Sequence, residues 1–309
     1  MDRPGGISAI GGTPVVRLAR MTDAGCAEVW VKMEAANPTG SYKDRMALAI
    51  IEGAERDGRL RPGQPVVEYT GGSTGSSLAF VCAVTGHPLH IVTSDAFAEE
   101  KRRTMLAFGA HVEIVPSPQG ITPDLIPRMR TRAAELAESL GAYRTDQFSN
   151  TDMVEGYRRL GDEAADQVPG DIDALCLYVG TAGCLLGVSR SLRRRYPAML
   201  RVAVEPAESA VLSGGLPGTH RIEGGGVGFR PDLLGPDDVD EVVPVSTADA
   251  FAMARRAARV EGLLSGPSTG ANLVAALQLA QRLGPGRRVL TVQVDSGLKY
   301  LTGPLFTNE

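Results

Sequence analysis

Residues Asn37–Arg45, N-P-T-G-S-Y-K-D-R, are the stretch from which the fold and chemistry of this chain are best inferred. The proline and the glycine favour a loop, Ser41 suits a helix cap, and the apolar run Met46–Ile51 predicts a helix over residues 44–56. Lys43 is therefore expected in or beside the first turn, where the helix dipole lowers the cost of losing its charge. An uncharged lysine is a nucleophile that forms a Schiff base with a carbonyl group. On its own the stretch also fits a solvated lysine on a polar loop, so the rest of the chain has to decide.

The size and charge of the chain restrict what it can be. Its 309 residues suffice for about two domains, and 43% hydrophobic with 22% charged residues is typical of a soluble globular protein. The net charge of −4 includes no basic excess, which argues against nucleic acid as a partner. We expect the basic clusters Lys101–Arg103 and Arg193–Arg195 on solvated helix faces.

The cysteines and histidines form no recognised metal or disulfide pattern. Cys26, Cys82, Cys176 and Cys184 are scattered without C-x-x-C spacing, so we expect free thiols in a reducing compartment. The four histidines form no H-E-x-x-H or Cys/His set, and no metal site is predicted. The start of the chain does not resemble a signal peptide, and the apolar runs are shorter than a membrane span. These observations predict a cytoplasmic protein with no membrane partner.

Strands and helices are predicted to alternate along both halves of the chain. The predicted strands are 15–18, 29–33, 65–69, 89–93, 111–115, 174–179, 201–205 and 288–294, and the predicted helices are 44–56, 76–85, 99–108, 123–140, 152–167, 184–195, 247–261 and 271–283. Such alternation is typical of parallel sheets with helices on both faces. The sequence therefore predicts an α/β fold of two domains with a cleft between them.

Three glycine-rich turns are candidates for binding a ligand. Gly180–Gly183 follows an apolar strand and precedes a helix, where successive backbone amides favour an anion. No G-x-G-x-x-G and no P-loop motif occurs, so a small phosphate-bearing ligand is favoured over a nucleotide. Thr70–Gly75 offers hydroxyls and amides to a carboxylate, and Ser265–Asn272 could supply a neutral hydroxyl. Each turn taken alone is equally explained as a structural turn or a helix cap.

Taken together and in this order, the segments resemble the cysteine synthase branch of the fold-type II enzymes that use pyridoxal 5′-phosphate (PLP). The resemblance runs from residues 10–14, I-G-G-T-P, to residues 294–301, V-D-S-G-L-K-Y-L. Its most specific part is Asn37–Arg45, which matches the family motif N-P-x-x-S-x-K-D-R. The lysine of that motif holds PLP as a Schiff base, so the resemblance implies this catalytic role for Lys43.

The same resemblance implies the other site residues. The PLP phosphate would be bound by the turn that follows the predicted strand 174–179, namely by Gly180, Thr181, Ala182, Gly183 and Cys184. Ser268 would face the pyridine nitrogen and leave the ring unprotonated, and Ser73 would lie beside the phenolic oxygen. Substrate binding is implied for the closing loop, for the family glutamine and for the glycine tract at residues 223–229, represented by Thr70, Gly71, Gly72, Ser73, Thr74, Gln147 and Gly224.

For the whole chain, the resemblance implies the tryptophan synthase β-like fold in two α/β domains, each a mostly parallel twisted sheet flanked by helices. The smaller domain is expected over residues 35–149 and carries Lys43 and the substrate loop. The larger one is expected over residues 1–34 plus 150–309 and carries the phosphate loop, with the active site in the cleft. A homodimer is implied as well.

The sequence departs from the family pattern mainly where substrate is expected. The substrate loop of cysteine synthases typically reads T-S-G-N-T-G, whereas Ser73 here replaces the asparagine. Cys184 replaces a usual threonine of the phosphate loop, and the segment after Asn150 lacks N-P-x-x-H. These changes place the identity of the substrate in question, not that of the cofactor.

The predicted function is PLP-dependent β-replacement on an O-activated serine through an α-aminoacrylate. O-acetylserine or O-phosphoserine with sulfide, giving cysteine, is the leading hypothesis. Alternatives are another nucleophile, such as ammonia giving 2,3-diaminopropionate, or a serine/threonine deaminase. A non-catalytic binding protein of the same fold is a hypothesis of a different class, and the presence of Lys43 argues against it.

Overall fold

The computed structural model describes residues 5–122 and 124–307. In chain order, the strands are β1 (Val15–Arg17), β2 (Glu28–Met33), β3 (Val66–Tyr69), β4 (Leu89–Ser94), β5 (His111–Val115), β6 (Tyr143–Arg144), β7 (Ala174–Tyr178), β8 (Leu200–Pro206), β9 (Glu241–Val245) and β10 (Arg288–Gln293). The helices are α1 (Lys43–Arg56), α2 (Ser73–Thr85), α3 (Glu99–Ala107), α4 (Leu125–Leu140), α5 (Asp152–Gln167), α6 (Gly183–Leu192), α7 (Thr247–Glu261), α8 (Pro267–Leu283) and α9 (Pro304–Thr307). Short 3-10 helices cover Gly5–Ala9, Glu34–Ala36, Ala207–Ser209 and Gly297–Tyr300.

The described chain divides into two compact units. The small unit comprises residues 5–10 and 37–156, and the large unit comprises residues 11–36 and 157–307. The division differs from the predicted one at the start of the chain, because Ile7 packs into the core of the small unit and not of the large one. It also places residues 150–156, the first part of α5, in the small unit.

The small unit contains a parallel sheet of four strands in the order β5-β4-β3-β6. Neighbouring residues of a strand point to opposite faces, and here both faces are covered. Val66 and Leu89 belong to a core with α1 and α2, whereas Val67 and Val92 belong to a second core with α4. Burial on both faces explains why β3 and the centre of β4 are mostly apolar.

The large unit contains a six-stranded sheet in the order β1-β2-β10-β7-β8-β9. Only the β1–β2 pair is antiparallel, and the other pairs are parallel. Ala174 and Cys176 of β7 belong to a core that includes residues of α7 and α8, and Leu175 and Leu177 on the opposite face are buried as well. The predicted α/β fold with mostly parallel sheets is therefore confirmed.

Two strands and several helix starts escaped the sequence analysis. β6 has two residues, and β9 contains Pro244, which has no N–H to donate and is tolerated because β9 lies at the sheet edge. Helix α8 begins at Pro267, where proline suits the first position, and not at residue 271. The predicted start of α4, Pro123, lies outside the described residues. None of the helices in the described ranges is long and apolar enough to cross a membrane.

Candidate active site

Lys43 is the first residue of α1, at the end of a loop that is fixed by its own hydrogen bonds. Gly40 has a φ of 71°, in the left-handed region, and its N–H donates to the Asn37 carbonyl at 2.8 Å. The buried carboxylate of Asp44 accepts from the Thr39 N–H at 2.8 Å and from the Thr39 hydroxyl at 2.5 Å. The loop therefore presents Lys43 in one conformation.

The Lys43 side chain is buried and not solvated. Its residue is 6% exposed, and the ammonium nitrogen lies 4.8 Å from the centroid of the Tyr42 ring. The Ser41 hydroxyl accepts from the Lys43 N–H at 3.2 Å, while the capping position itself is occupied by Tyr42. The interpretation of Lys43 as a lysine on a solvated polar loop is thus excluded by its burial.

The substrate loop predicted at residues 70–74 joins β3 to α2, and the structure brings Gln147 to it. The Thr70 hydroxyl accepts from the Gly72 N–H at 3.1 Å, and Ser73 is the first residue of α2. The Thr74 hydroxyl donates to the Gln147 side-chain oxygen at 2.8 Å. Gly71 has no room for a side chain, because an added Cβ would lie 2.7 Å from the Phe97 ring.

Lys101 is a residue that the sequence analysis placed wrongly. It was expected on a solvated helix face, yet it is 3% exposed. Its methylene chain lies against Gly72, whose added Cβ would be 2.2 Å from the Lys101 Cδ. The sequence E-E-K-R-R carries no signal of this burial, because the long stem of a lysine can cover a surface that sequence periodicity does not reveal.

Glu68 is a second residue near the substrate loop that sequence reasoning missed. It lies in β3, is 2% exposed, and accepts hydrogen bonds from the Tyr69 N–H, the Thr145 hydroxyl and the Gln147 N–H. Removal of the carboxylate from water raises its pKa to about 7, an effect that these hydrogen bonds only partly offset. The sequence contained one indication of this burial, since Glu68 is the single carboxylate in the otherwise apolar strand β3.

In the large unit, the turn at residues 180–183 joins β7 to α6. Ala182 adopts a left-handed φ of 67°, and α6 begins at Gly183, so the first amides of this helix have no partner within the helix itself. Gly180 packs against the glycine tract, because an added Cβ would lie 2.5 Å from the Gly224 carbonyl. The predicted phosphate loop and the predicted entrance tract are thus adjacent.

Ser268 belongs to the same part of the large unit. Its hydroxyl is buried, and no hydrogen-bond partner for it exists among the residues that the structure describes. An added Cβ on Gly224 would lie 3.8 Å from this oxygen. Ser268 does not cap α8, whose cap is Gly266, so its hydroxyl has no hydrogen-bonding role in the part of the chain that the structure describes. An unsatisfied buried hydroxyl costs about 1–3 kcal/mol, and a hydrogen bond to a ligand would offset this cost.

The remaining nucleophiles and candidate ligands contribute little chemistry. All four cysteines are free, and burial raises the pKa of both Cys82 and Cys176 to about 12, which makes them poor nucleophiles. Within residues 5–122 and 124–307, no group of three or more His, Cys, Asp or Glu side chains is placed to hold a metal ion.

Known proteins match this chain over nearly its whole length. The family described as pyridoxal-phosphate dependent enzyme matches residues 7–295. A cysteine synthase of Staphylococcus aureus (strain Mu50 / ATCC 700699) is 42% identical over 300 residues, which cover 96% of this chain and 95% of that protein. The crystal structure of an O-ureido-L-serine synthase matches with a TM-score of 0.91 and 35% identity over 98% of this chain and 95% of that one. The structure of O-acetylserine sulfhydrylase isoform 3 from Entamoeba histolytica matches with a TM-score of 0.92 and 34% identity over 100% and 93% of the two chains.

Proposed function

Since the chain belongs to the family of pyridoxal-phosphate dependent enzymes, we propose that it is a cysteine synthase. It replaces the β-substituent of O-acetylserine or O-phosphoserine with sulfide. The observation that carries the proposal is the buried Lys43 at the start of α1, in a motif that matches the family throughout. The 42% identity to a cysteine synthase over nearly the whole chain supports the choice of reaction.

The residues present fit PLP. In the large unit, the buried Ser268 hydroxyl lacks a partner within the described residues and suits the pyridine nitrogen. The turn at residues 180–184 offers the phosphate backbone amides at the positive end of α6. In the small unit, Lys43 would hold the cofactor covalently at its aldehyde carbon, with Ser73 beside the phenolic oxygen. Cys184 lacks the hydroxyl of the usual threonine, but its backbone amide remains.

The side chains of the protein transfer the proton and bind the substrate. PLP, when bound, draws electrons away from the α-carbon of an attached amino acid, so that the α-proton becomes acidic and a β-substituent can leave. Lys43 removes that α-proton and returns a proton to the α-carbon of the product. The loop at residues 70–74 and the Gln147 amide hold the α-carboxylate, and Gly224 belongs to the glycine tract that lines the entrance.

The direct test is the assay of purified holoenzyme with O-acetylserine and sulfide. We expect a yellow protein whose near-visible absorbance shifts when O-acetylserine is added and that forms cysteine when sulfide follows. A colourless protein with intact Lys43 would instead favour a binding function without catalysis. A yellow protein that releases ammonia from serine or threonine, and forms no cysteine, would favour the deaminase.

A second candidate is β-replacement with a larger nucleophile, and Ser73 is the observation that favours it. A serine at the start of α2 is shorter than the family asparagine and leaves more room beside the incoming amino acid. One of the similar solved structures is an O-ureido-L-serine synthase. The test is Ser73→Asn, assayed with sulfide, ammonia and hydroxyurea in parallel. Equal relative rates in the variant and the parent would remove Ser73 from substrate selection.

We also propose a cytoplasmic homodimer that acts on small molecules. The family resemblance supports the dimer, and the four free cysteines suit a reducing compartment. Light scattering on the purified protein is expected to give twice the chain mass of 32.5 kDa. A mass equal to that of one chain would contradict the dimer without affecting the proposed reaction.

A further inference from the structure

We propose that Glu68 is the positioning residue that holds Gln147 and its turn in readiness for the substrate's α-carboxylate. This inference rests on the proposed function, because it assigns Gln147 to that carboxylate. All the residues concerned lie in the small unit. No single element provides the arrangement, since β3, α2 and the turn after β6 each contribute to it.

The Glu68 carboxylate joins the end of β3 to the turn that carries Gln147. One oxygen accepts from the Tyr69 N–H at 2.8 Å, and the other accepts from the Thr145 hydroxyl at 2.5 Å and the Gln147 N–H at 3.0 Å. Residues 68 and 147 are far apart in sequence, and these bonds extend the connection between their segments beyond the β3–β6 pairing, which reaches Val67 and Arg144. Charged acceptors form stronger hydrogen bonds than neutral ones, which makes an ionised Glu68 the firmest anchor available.

The turn itself requires an anchor. Asp146, between the two residues that donate to Glu68, has a φ of 43° although it is not glycine. A positive φ is uncommon for a residue other than glycine, although aspartate tolerates it better than most, and tertiary contacts help to stabilise it. The bonds from the Thr145 hydroxyl and the Gln147 N–H restrain the turn on the side of Glu68, while the Asp146 carbonyl accepts from the Ser149 and Asn150 N–H groups on the other side.

The orientation of the Gln147 side chain follows from the position of its backbone. Its side-chain nitrogen donates to the Tyr69 carbonyl at 3.0 Å, and its oxygen accepts from the Thr74 hydroxyl at 2.8 Å. An amide nitrogen carries two hydrogens, so one remains for a ligand. Rotation of the turn by loss of the Glu68 bonds would move this donor away from the substrate loop.

The anchor is sensitive to pH near neutrality. Burial, with a smaller contribution from the Asp146 carboxylate, raises the pKa of Glu68 to about 7, and the Thr145 hydroxyl and the two backbone N–H groups lower it. The other titratable groups that Glu68 influences are Tyr69 and Tyr143, whose pKa values are raised further above the neutral range, so they stay uncharged. The positive charges of Arg130 and Arg144 act in the opposite sense and lower the pKa of Tyr69. Protonation of Glu68 turns one acceptor oxygen into a donor, so the bonds to the turn weaken below pH 7.

The experiment measures binding of L-alanine to the holoenzyme, followed by the cofactor absorbance, for the parent and Glu68→Gln between pH 5.5 and 8.5. L-alanine has the α-carboxylate but no leaving group, so no turnover intervenes. We expect the variant to bind about tenfold more weakly at pH 8.5, equivalent to the loss of one charge-assisted hydrogen bond. The ratio of the two Kd values should approach one at pH 5.5, where the parent is protonated as well. Because the amino group of L-alanine titrates equally in both measurements, its effect on Kd does not change the ratio.

Two controls separate positioning from general damage. L-alaninamide lacks the carboxylate, so its Kd ratio should stay near one at every pH. Thr145→Val removes a bond that lowers the pKa of Glu68 and should move the midpoint of the pH dependence upward, whereas Thr145→Ser should leave it in place.

The inference is overturned by a Kd ratio that does not change with pH, by an equal loss with L-alaninamide, or by a parent that does not bind L-alanine. Failure of the proposed function looks different. It would appear as absence of cysteine from O-acetylserine and sulfide in a protein that still shows the Glu68 effect on L-alanine.

Discussion

Lys43 concentrates the chemistry of the chain in one side chain. Lys43→Ala is expected to abolish turnover while leaving the fold intact, because the loop that carries Lys43 is fixed by the hydrogen bonds between Asp44 and Thr39. Circular dichroism of the variant provides the control for folding. Borohydride reduction of the parent followed by peptide mapping should place a pyridoxyl label on Lys43. A label on Lys32 or Lys299 would contradict the assignment.

Glu68 should also lower the stability of the small unit as the pH rises. Its pKa is raised from 4.5 to about 7 in the folded chain, so between these values the unfolded state has released a proton that the folded state keeps. Stability therefore falls with increasing pH in this window, by up to about 3 kcal/mol. Hydrogen exchange of a peptide covering β3 should show this fall in the parent and not in Glu68→Gln. A parallel course in the two proteins would mean that Glu68 does not titrate there.

The sequence predicts reactive residues better than it predicts the residues that support them. Lys43 lies in a motif of nine residues with its own local signature, so its place at a helix start followed from the sequence. Glu68 and Lys101 acquire their roles from segments distant in the chain, namely the turn at residues 145–147 and the backbone of Gly72. No local pattern records such contacts, and E-E-K-R-R in particular resembles an exposed helix face.

At the scale of elements, the junction between β3 and α2 depends on a glycine. Gly72 has φ 149° and ψ −87°, and its missing side chain leaves space for Lys101. Gly72→Ala should lower kcat/KM for O-acetylserine at least tenfold, because both the backbone strain and the clash distort the substrate loop. Gly86→Ala, at the other end of α2, has φ 79° and open space, so it controls for strain alone. Similar losses in the two variants would show that Lys101 does not constrain the loop.

The start of α6 should be equally sensitive to charge. Gly183→Asp would place a carboxylate where the phosphate of PLP is expected, and two unit charges about 4 Å apart repel by about 4 kcal/mol at intermediate dielectric. We expect the variant to purify with little PLP, whereas Gly183→Asn, nearly the same in shape and neutral, should retain much more. Absorbance per mole of protein gives the occupancy directly. Equal occupancy in both variants would place the phosphate elsewhere.

For the whole molecule, the alternation of apolar strands and amphipathic helices was sufficient to predict two mostly parallel sheets. The strands that were not predicted, β6 and β9, both lie at sheet edges. An edge strand pairs on one side only, so its residues need not be as apolar or as β-branched as those of a central strand. The division into units was predicted less well. Residues 5–10 join the small unit through the packing of Ile7, a contact made with segments much later in the chain.

The position of β2 between β1 and β10 has a consequence for how the chain is made. Glu28 pairs with Arg288, so about 260 residues must be translated between one strand and its partner. At roughly 5–20 residues per second, the interval is about 13–50 s, and residues 37–156 leave the ribosome well within it. The small unit can thus fold first. During this interval the edge of β2 that later pairs with β10 remains unpaired. An unpaired strand edge can pair with a strand of another chain and so cause aggregation. We therefore expect a chaperone that binds the nascent chain to prevent aggregation mainly at the β1–β2 hairpin.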